Sequence, residues 1–267
     1  MTTSSAEPTP LSVAVEAAQT GGRILRRAFG QTQRISRKGL VNLVTEQDRR
    51  SEEAIVQTIL TAFPSHAILA EERGTTGAPS KHRWIVDPLD GTTNYVHGYP
   101  VFCVSIAYEK DGQLEVGVIL DPLRRELFVG QRGRGVTLNS RPASVSKVNT
   151  LIESLVETGF PYERDRMKIA LDQFDHLAYK TQGLRRAGAA ALALAYVAVG
   201  RLDGFWEATL SPWDHAAGAL LIQEAGGVVT RIDGKPYAPD CSAVAASNGL
   251  IHAALLDALR QVSRHDA

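Results

Sequence analysis

RWIVDPLDGTTNYVHG, residues 83–98, sets two aspartates three positions apart, Asp87 and Asp90, behind an apolar run. Gly91, Thr92 and Thr93 follow at once. An apolar run closing on acids is how a buried strand delivers carboxylates to a sheet edge. Pro88 stiffens the turn between the two, so both carboxylates can face one cavity. The carbonyl of Leu89 offers a further oxygen ligand. Gly91 lets the backbone approach closely, and a helix starting at Thr92-Thr93 would turn its free N–H groups towards an anion. The plainer alternative is an Asx-type turn that caps a helix, because D-x-x-D and D-G are common in turns.

The neighbouring segments give this stretch its setting. LSVAVEAAQTGGRILRRAFG (11–30) carries apolar residues at three- and four-residue spacing and closes on Gly30, which predicts a helix. DRRSEEAIVQTILTAF (48–63) predicts a second, with Ile55, Ile59 and Leu60 on one face and Pro64 past its end. AILAEE (67–72) is another short apolar run ending in acids. FCVSIAYE, LEVGVILD and ELFVG then predict antiparallel strands, separated by turn signals such as Asp111-Gly112 and Asp121-Pro122. After GQRGRG (130–135) the pattern turns to alternating helix and strand. PYERDRMKIALDQFDHLAYK and PWDHAAGALLIQEAGG predict helices, RLDGFWE, GVVTRI and SAVAAS strands, and a last helix closes the chain near 249–263. A Ser/Thr/Pro-rich tail over 1–10, an N-terminal half over 11–148 and a C-terminal half over 149–267 are expected.

Composition narrows the function classes. The chain has 267 residues, enough for one large domain or two joined halves. Lys plus Arg and Asp plus Glu are 29 each, so no excess charge argues for nucleic acid or a membrane surface as partner. Cys103 and Cys241 lie far apart without C-x-x-C spacing, which argues against a disulfide framework and makes a reducing cytoplasm the expected compartment. The N-terminus has neither the basic nor the apolar region of a secretory signal. The longest apolar run, AAALALAYVAV (189–199), falls short of the roughly 20 residues that cross a bilayer and predicts a buried helix.

Four acids stand at strand ends or a helix start: Glu71, Asp87, Asp90 and Asp214. Gathered carboxylates without bases raise one another's pKa or need a cation. An all-oxygen set without Cys or suitably spaced His points to a hard ion, Mg²⁺ or Mn²⁺. Metals beside an anion-binding helix start suggest phosphate chemistry. An EF-hand is excluded by ligand spacing, an aspartyl nucleophile of the D-x-D-G-T kind by the two residues between Asp87 and Asp90, and a P-loop by the absence of its motif. Asp214 after Pro212 is also explicable as a charge favoured at a helix N-terminus.

WIVDPLDGTTNYVHGYP and LDGFWEATLSPWDHAAGALLIQEAGG, taken together, resemble the inositol monophosphatase family of Mg²⁺-dependent, lithium-sensitive phosphatases. LVTEQD (43–48), AEERG (70–74) and LRRAGAAALALAYVAVGRLDG (184–204) fall in the family's order, so the resemblance runs from about residue 11 onwards. It implies a layered αβαβα sandwich of the sugar-phosphatase type, with a mixed, largely antiparallel N-terminal sheet and a C-terminal α/β half. It further implies two or three Mg²⁺ ions per site, a homodimer and a small phosphorylated polyol as substrate. Glu71, Asp87 and the Leu89 carbonyl would hold the first ion, and Asp87, Asp90 and Asp214 the second. Glu71 and Thr92 would position and activate the attacking water, with Asp48 supporting Thr92. Gly91 and Thr92 amides would lie at the phosphate. Glu207 would accept hydrogen bonds from substrate hydroxyls, and Arg185 with the Gly188–Ala190 backbone would form the pocket rim. Glu71, Leu89, Asp90 and Asp214 would thus touch both ions and substrate.

Position 189 departs from the pattern: it is Ala where many relatives carry Ser or Thr. His97 and His215 are expected to be structural, Cys103 and Cys241 buried small hydrophobes, and GQRGRG a tight turn. Lys38 could reach phosphate or order a nearby loop, with a solvated lysine as the alternative. The leading expectation is hydrolysis of myo-inositol monophosphates. Broader sugar-phosphate scope, including fructose 1,6-bisphosphate, and a regulatory binding protein with residual phosphatase activity are the alternatives.

Overall fold

A computed structural model describes residues 7–32, 35–37, 43–161 and 164–263. α1 (Pro10–Ala28), β1 (Ile35–Arg37), β2 (Leu43–Thr45) and α2 (Glu46–Ala62) come first. β3 (Ala67–Ala70), β4 (Gly74–Thr76), β5 (His82–Asp90) and the short helix α3 (Thr92–Val96) follow. β6 (Cys103–Lys110), β7 (Gln113–Asp121), β8 (Glu126–Gln131), β9 (Gly135–Leu138) and β10 (Arg141–Ala143) complete the first sheet. Beyond it lie β11 (Leu155–Thr158), α4 (Met167–Ala178), β12 (Gly183–Arg185), α5 (Ala190–Ala198) and β13 (Gly204–Ala208). The chain ends in α6 (Pro212–Glu224), β14 (Val228–Arg231), β15 (Ala243–Ser247) and α7 (His252–Ser263).

β1 and β2 form an antiparallel pair of their own, and the other strands form an eight-stranded sheet in the order β10-β9-β8-β7-β6-β5-β3-β4 and a five-stranded sheet in the order β12-β11-β13-β15-β14. The first is antiparallel apart from the β3–β5 pair. In the second, β11 runs parallel to β12 and β13, and β15 runs antiparallel to β13 and β14. Side-chain alternation sorts the layers. Trp84 and Val86 of β5 join the core under α1 and α2, whereas Ile85 joins the core around α5 and α6. Phe205 of β13 faces that same middle core, while Trp206 turns to the outer core beneath α4 and α7. The result is the expected αβαβα sandwich.

The middle layer explains the two unusually apolar helices. α5 and α6 touch a sheet on either side, so they are buried almost all round, as a helix without a polar face must be. Small residues let them in. A Cβ on Gly117 of β7 would stand 2.7 Å from the Ala217 carbonyl oxygen, and one on Gly218 would stand 2.4 Å from Leu194 Cβ.

Several expectations need adjusting. Helix α1 begins inside the stretch read as a tail: Thr9 caps it and Pro10 is its first residue. GQRGRG is a turn, and its Gly133 and Gly135 amides donate to the Glu224 carboxylate at 2.9 Å each. Two further strands, β9 and β10, follow it before helices alternate with strands. The helix expected over PYERDRMKIALDQFDHLAYK is a short 3-10 turn at Arg164–Arg166 and then α4. Lys38 lies outside the described residues. No helix among those described is long and apolar enough to cross a membrane.

Candidate active site

β5 carries both aspartates, and a defect in its pairing aims them. Asp87 stands opposite Ser105 and Asp90 opposite Cys103, so three steps along β5 match two along β6. In a regular strand, residues three apart point to opposite faces. The extra residue reverses this, and both carboxylates turn towards the middle layer, as a β-bulge permits. Pro88 sits inside the irregularity, where its missing N–H does least harm. Leu89 anchors the turn by burying its side chain in the core under α1 and α2.

Each of the three aspartates gives one oxygen to the main chain. Leu89 N donates to Asp87 Oδ1 at 2.9 Å, which is the Asx turn considered for the sequence. Ala191 N donates to Asp90 Oδ2 at 2.9 Å and Leu192 N donates to it at 3.4 Å. Asp90 therefore caps α5, whose own cap position, Ala189, has no hydroxyl to do so. Ser211 N donates to Asp214 Oδ2 at 2.6 Å, so Asp214 also serves as the N-terminal charge of α6. Glu71 follows β3, its N–H bonded to Val86 O at 3.2 Å, one step past the Ala70–Val86 pair and thus beside Asp87. Glu52 of α2 straps this turn by accepting from Glu72 N and Arg73 Nε, both at 2.8 Å.

The electrostatics are those of carboxylates crowded together. Burial raises the Asp87 carboxyl well above the ordinary range, and Glu71, Asp90 and Asp214 each push it further. Asp90 is raised to about 6 by burial, against the pull of the Cys103 thiol and the α5 amides. Asp214 is raised by burial, Asp90 and Glu71 despite its bond from Ser211. Among the described residues, Asp87, Asp90 and Asp214 are in no ion pair, and no three His, Cys, Asp or Glu side chains form a closed metal cage as they stand.

Thr92 opens α3 behind Gly91, whose φ of 91° is left-handed. A Cβ there would also stand 2.9 Å from Val101 O, so glycine is required twice over. The Thr92 hydroxyl lies 3.0 Å from Asp48 Oδ1 and 3.1 Å from Leu89 O, with both as acceptors. Asp48 is itself fixed by Thr45, whose N–H and hydroxyl donate to Oδ2. Asn94 holds the 187–188 turn against α3 through Nδ2, which donates to Ala187 O at 2.8 Å.

A cleft of about 600 Å³, counted to its open mouth, lies beside these acids. Asp90, Gly91, Gly188, Ala189, Ala190, Glu207 and Asp214 line it. Glu71, Asp87, Leu89 and Thr92 are not among its lining residues. Arg186 is among the lining residues and Arg185 is not; Arg185 bonds its own neighbour's carbonyl, Leu184 O, at 2.9 Å. The Glu207 carboxyl is pushed well up by burial, then by Asp214 and Asp90. It rests on Gly159, where any Cβ would fall 2.0 Å from its oxygen.

Sequence reading missed Glu157, a lining residue that is 5% exposed and raised to about 7, chiefly by burial. A single Glu in an alternating strand carries no signal of burial. His215 is structural: Nδ1 lies 2.9 Å from the Tyr237 hydroxyl and Nε2 donates to Cys241 O at 2.9 Å. His97 is exposed at the end of α3. Cys103 is more than a filler, since its thiol donates to Asp90 Oδ2 at 3.5 Å.

Residues 8–264 match the model of the Inositol monophosphatase family. An inositol-1-monophosphatase from Mesorhizobium japonicum is 45% identical over 94% of this chain and 96% of its own. Nus factor SuhB from Pseudomonas aeruginosa is 44% identical over 94% of this chain and 95% of its own. The crystal structure of extragenic suppressor protein suhB from Bartonella henselae superposes with a TM-score of 0.89 at 41% identity, covering 93% of this chain and 97% of that one. Fold, motifs and relatives agree, and this chain belongs to the inositol monophosphatase family of phosphatases.

Proposed function

We propose that the protein is a Mg²⁺-dependent phosphomonoesterase that hydrolyses myo-inositol monophosphates to inositol and phosphate. The family is metal-dependent in general. The observation that carries the reading is the convergence of Asp87, Asp90 and Asp214, with Glu71 beside them, at one end of the cleft, where burial and their mutual repulsion raise Asp87 and Asp214 well above the ordinary carboxyl range. Such a set is stable only when protonated or when a cation joins it. All its donors are hard oxygens, which suits Mg²⁺. The second oxygen of each aspartate remains for the ions, and the carboxylates would draw together once their repulsion is relieved.

Glu71, Asp87 and the Leu89 carbonyl would hold one ion, and Asp87, Asp90 and Asp214 another, with two or three in all. When bound, such ions offset the carboxylate charge, acidify water and stabilise the leaving alkoxide. Thr92 directs its hydroxyl proton to Asp48, which leaves its lone pairs to orient the attacking water together with Glu71. The Gly91 and Thr92 amides meet the phosphate. Glu207 accepts from ring hydroxyls, and the Gly188–Ala190 backbone with Arg186 completes the rim. The resemblance supports a cytoplasmic homodimer.

The test is phosphate release from inositol 1-phosphate, fructose 1,6-bisphosphate, adenosine 3′,5′-bisphosphate and histidinol phosphate, with and without Mg²⁺. Preference for the inositol ester supports the reading, and preference for another ester moves the substrate. The relative named as a Nus factor supports a second reading, regulatory binding to the transcription machinery. Folded, Mg²⁺-binding protein that cleaves none of the four esters would favour it.

A further inference from the structure

Glu157 has no part in the chemistry above, yet the fold places it inside the cleft. On β11 it pairs with Phe205 of β13 on one side and Arg185 of β12 on the other. Phe205 is what such a position ordinarily holds, a large apolar side chain facing the middle core. A carboxylate there loses its hydration and needs compensation. It receives little. Ala187 N donates to Oε1 at 3.0 Å, and no hydrogen bond or ion pair among the described residues engages Oε2. Both nearby cations are engaged elsewhere: Arg185 bonds Leu184 O, and Arg186 lies over the Phe160 ring, 5.5 Å from its centre. They reach Glu157 only through space, as does Asp90 with the opposite sign.

Glu207 stands two residues beyond Phe205 on the adjacent strand, so the parallel register sets both glutamates on one face. Gly159, two residues beyond Glu157, is the floor on which the Glu207 carboxyl lies. The cleft therefore has two acidic ends, one formed by the aspartates and one by this glutamate pair. Cations at the first would take the phosphate. At the second, Arg186 acts on both glutamates only through space, no ion pair among the described residues engages either carboxyl, and the pair offers its oxygens to hydroxyl donors.

We propose that Glu157 is a specificity-determining residue: with Glu207 it sets paired carboxyl oxygens at the alcohol end of the cleft, admitting hydroxyl-bearing monophosphates and, once ionised, repelling esters with a second phosphate. The inference rests on the phosphomonoesterase reading above. Selection by repulsion needs only that the unwanted group carry like charge into a poorly hydrated place.

The experiment compares wild type, Glu157→Gln and Glu157→Met on inositol 1-phosphate and inositol 1,4-bisphosphate at saturating Mg²⁺ and about pH 8.5, where the Glu157 carboxyl, raised to about 7, is ionised. These esters share one ring and differ in the second phosphate. Gln keeps the acceptor for Ala187 N and removes the charge, while Met removes both. Both variants are expected to raise KM for the monophosphate and lower it for the bisphosphate. The kcat/KM ratio of bisphosphate to monophosphate should rise at least about fivefold. A purely structural clamp on Ala187 predicts no change in Glu157→Gln and equal losses on both esters in Glu157→Met; that result overturns the inference. Wild type that cleaves neither ester overturns the reading beneath it, and the inference with it.

Discussion

Asp90 joins two duties that one substitution can separate. Its Oδ2 caps α5 and its charge belongs to the acidic group. Asparagine keeps an acceptor for the Ala191 amide but carries no charge. Asp90→Asn should therefore fold with an unchanged or higher Tm without metal, while kcat falls at least about a hundredfold. Near-normal turnover would remove Asp90 from the ion-binding set. Glu157 makes a different prediction, in pH. Its carboxyl is raised from 4.5 to about 7, so the folded state holds its proton more tightly than the unfolded state does. Its stabilisation is complete below about pH 4.5 and is lost as pH rises through about 7, on the order of 3 kcal/mol in the metal-free protein. Glu157→Gln should flatten that decline in thermal melts, and an unchanged slope would contradict the burial argument. The acids of residues 87–90 are legible in sequence because contiguity keeps them together. Glu157 is not, because Val156-Glu157-Thr158 gives no hint that both faces of the strand are covered. Adjacent arginines are equally mute: only the path of β12 shows that Arg186, rather than Arg185, meets the cleft.

At the scale of elements, the site is assembled by irregularities that periodicity hides. The bulge in β5 puts Asp87 and Asp90 on one face, and strict alternation would have separated them. Helices α5 and α6 are legible as buried because they are apolar all round, but what covers them is not. That α5 takes its cap from Asp90 depends on a contact between distant parts of the chain. The Ser105 hydroxyl donates to Trp213 O at 3.2 Å and holds the start of α6 under the same strand pair. Spacing between layers is therefore a catalytic variable. Gly117→Ala sets a methyl against the Ala217 backbone, which cannot turn aside as a side chain can. A loss of about 1–3 kcal/mol is expected, read as a lower Tm, with reduced turnover as Asp214 is displaced. A variant as stable and active as wild type would show that the middle layer tolerates the shift.

At the scale of the molecule, the acids come from both sheets and the layer between them. Asp87 and Asp90 end a strand of the first sheet, Asp214 opens a middle helix, and the glutamate pair lines the second sheet. The order of motifs announced this sandwich. The pairing of β9 with β10 and the sharing of α5 and α6 by both sheets needed the structure. Cations that join the acids should consequently stabilise the whole fold. Saturation at about 100 times Kd adds roughly 2.7 kcal/mol, so Tm should climb across a Mg²⁺ titration and drop on chelation. A flat titration to tens of millimolar would argue against a preformed acidic site. The central claim is tested most directly by phosphate release from inositol 1-phosphate with and without Mg²⁺. The account predicts turnover that requires Mg²⁺ and is abolished by chelation. Equal turnover in its absence, or none in folded protein that binds Mg²⁺, would contradict it.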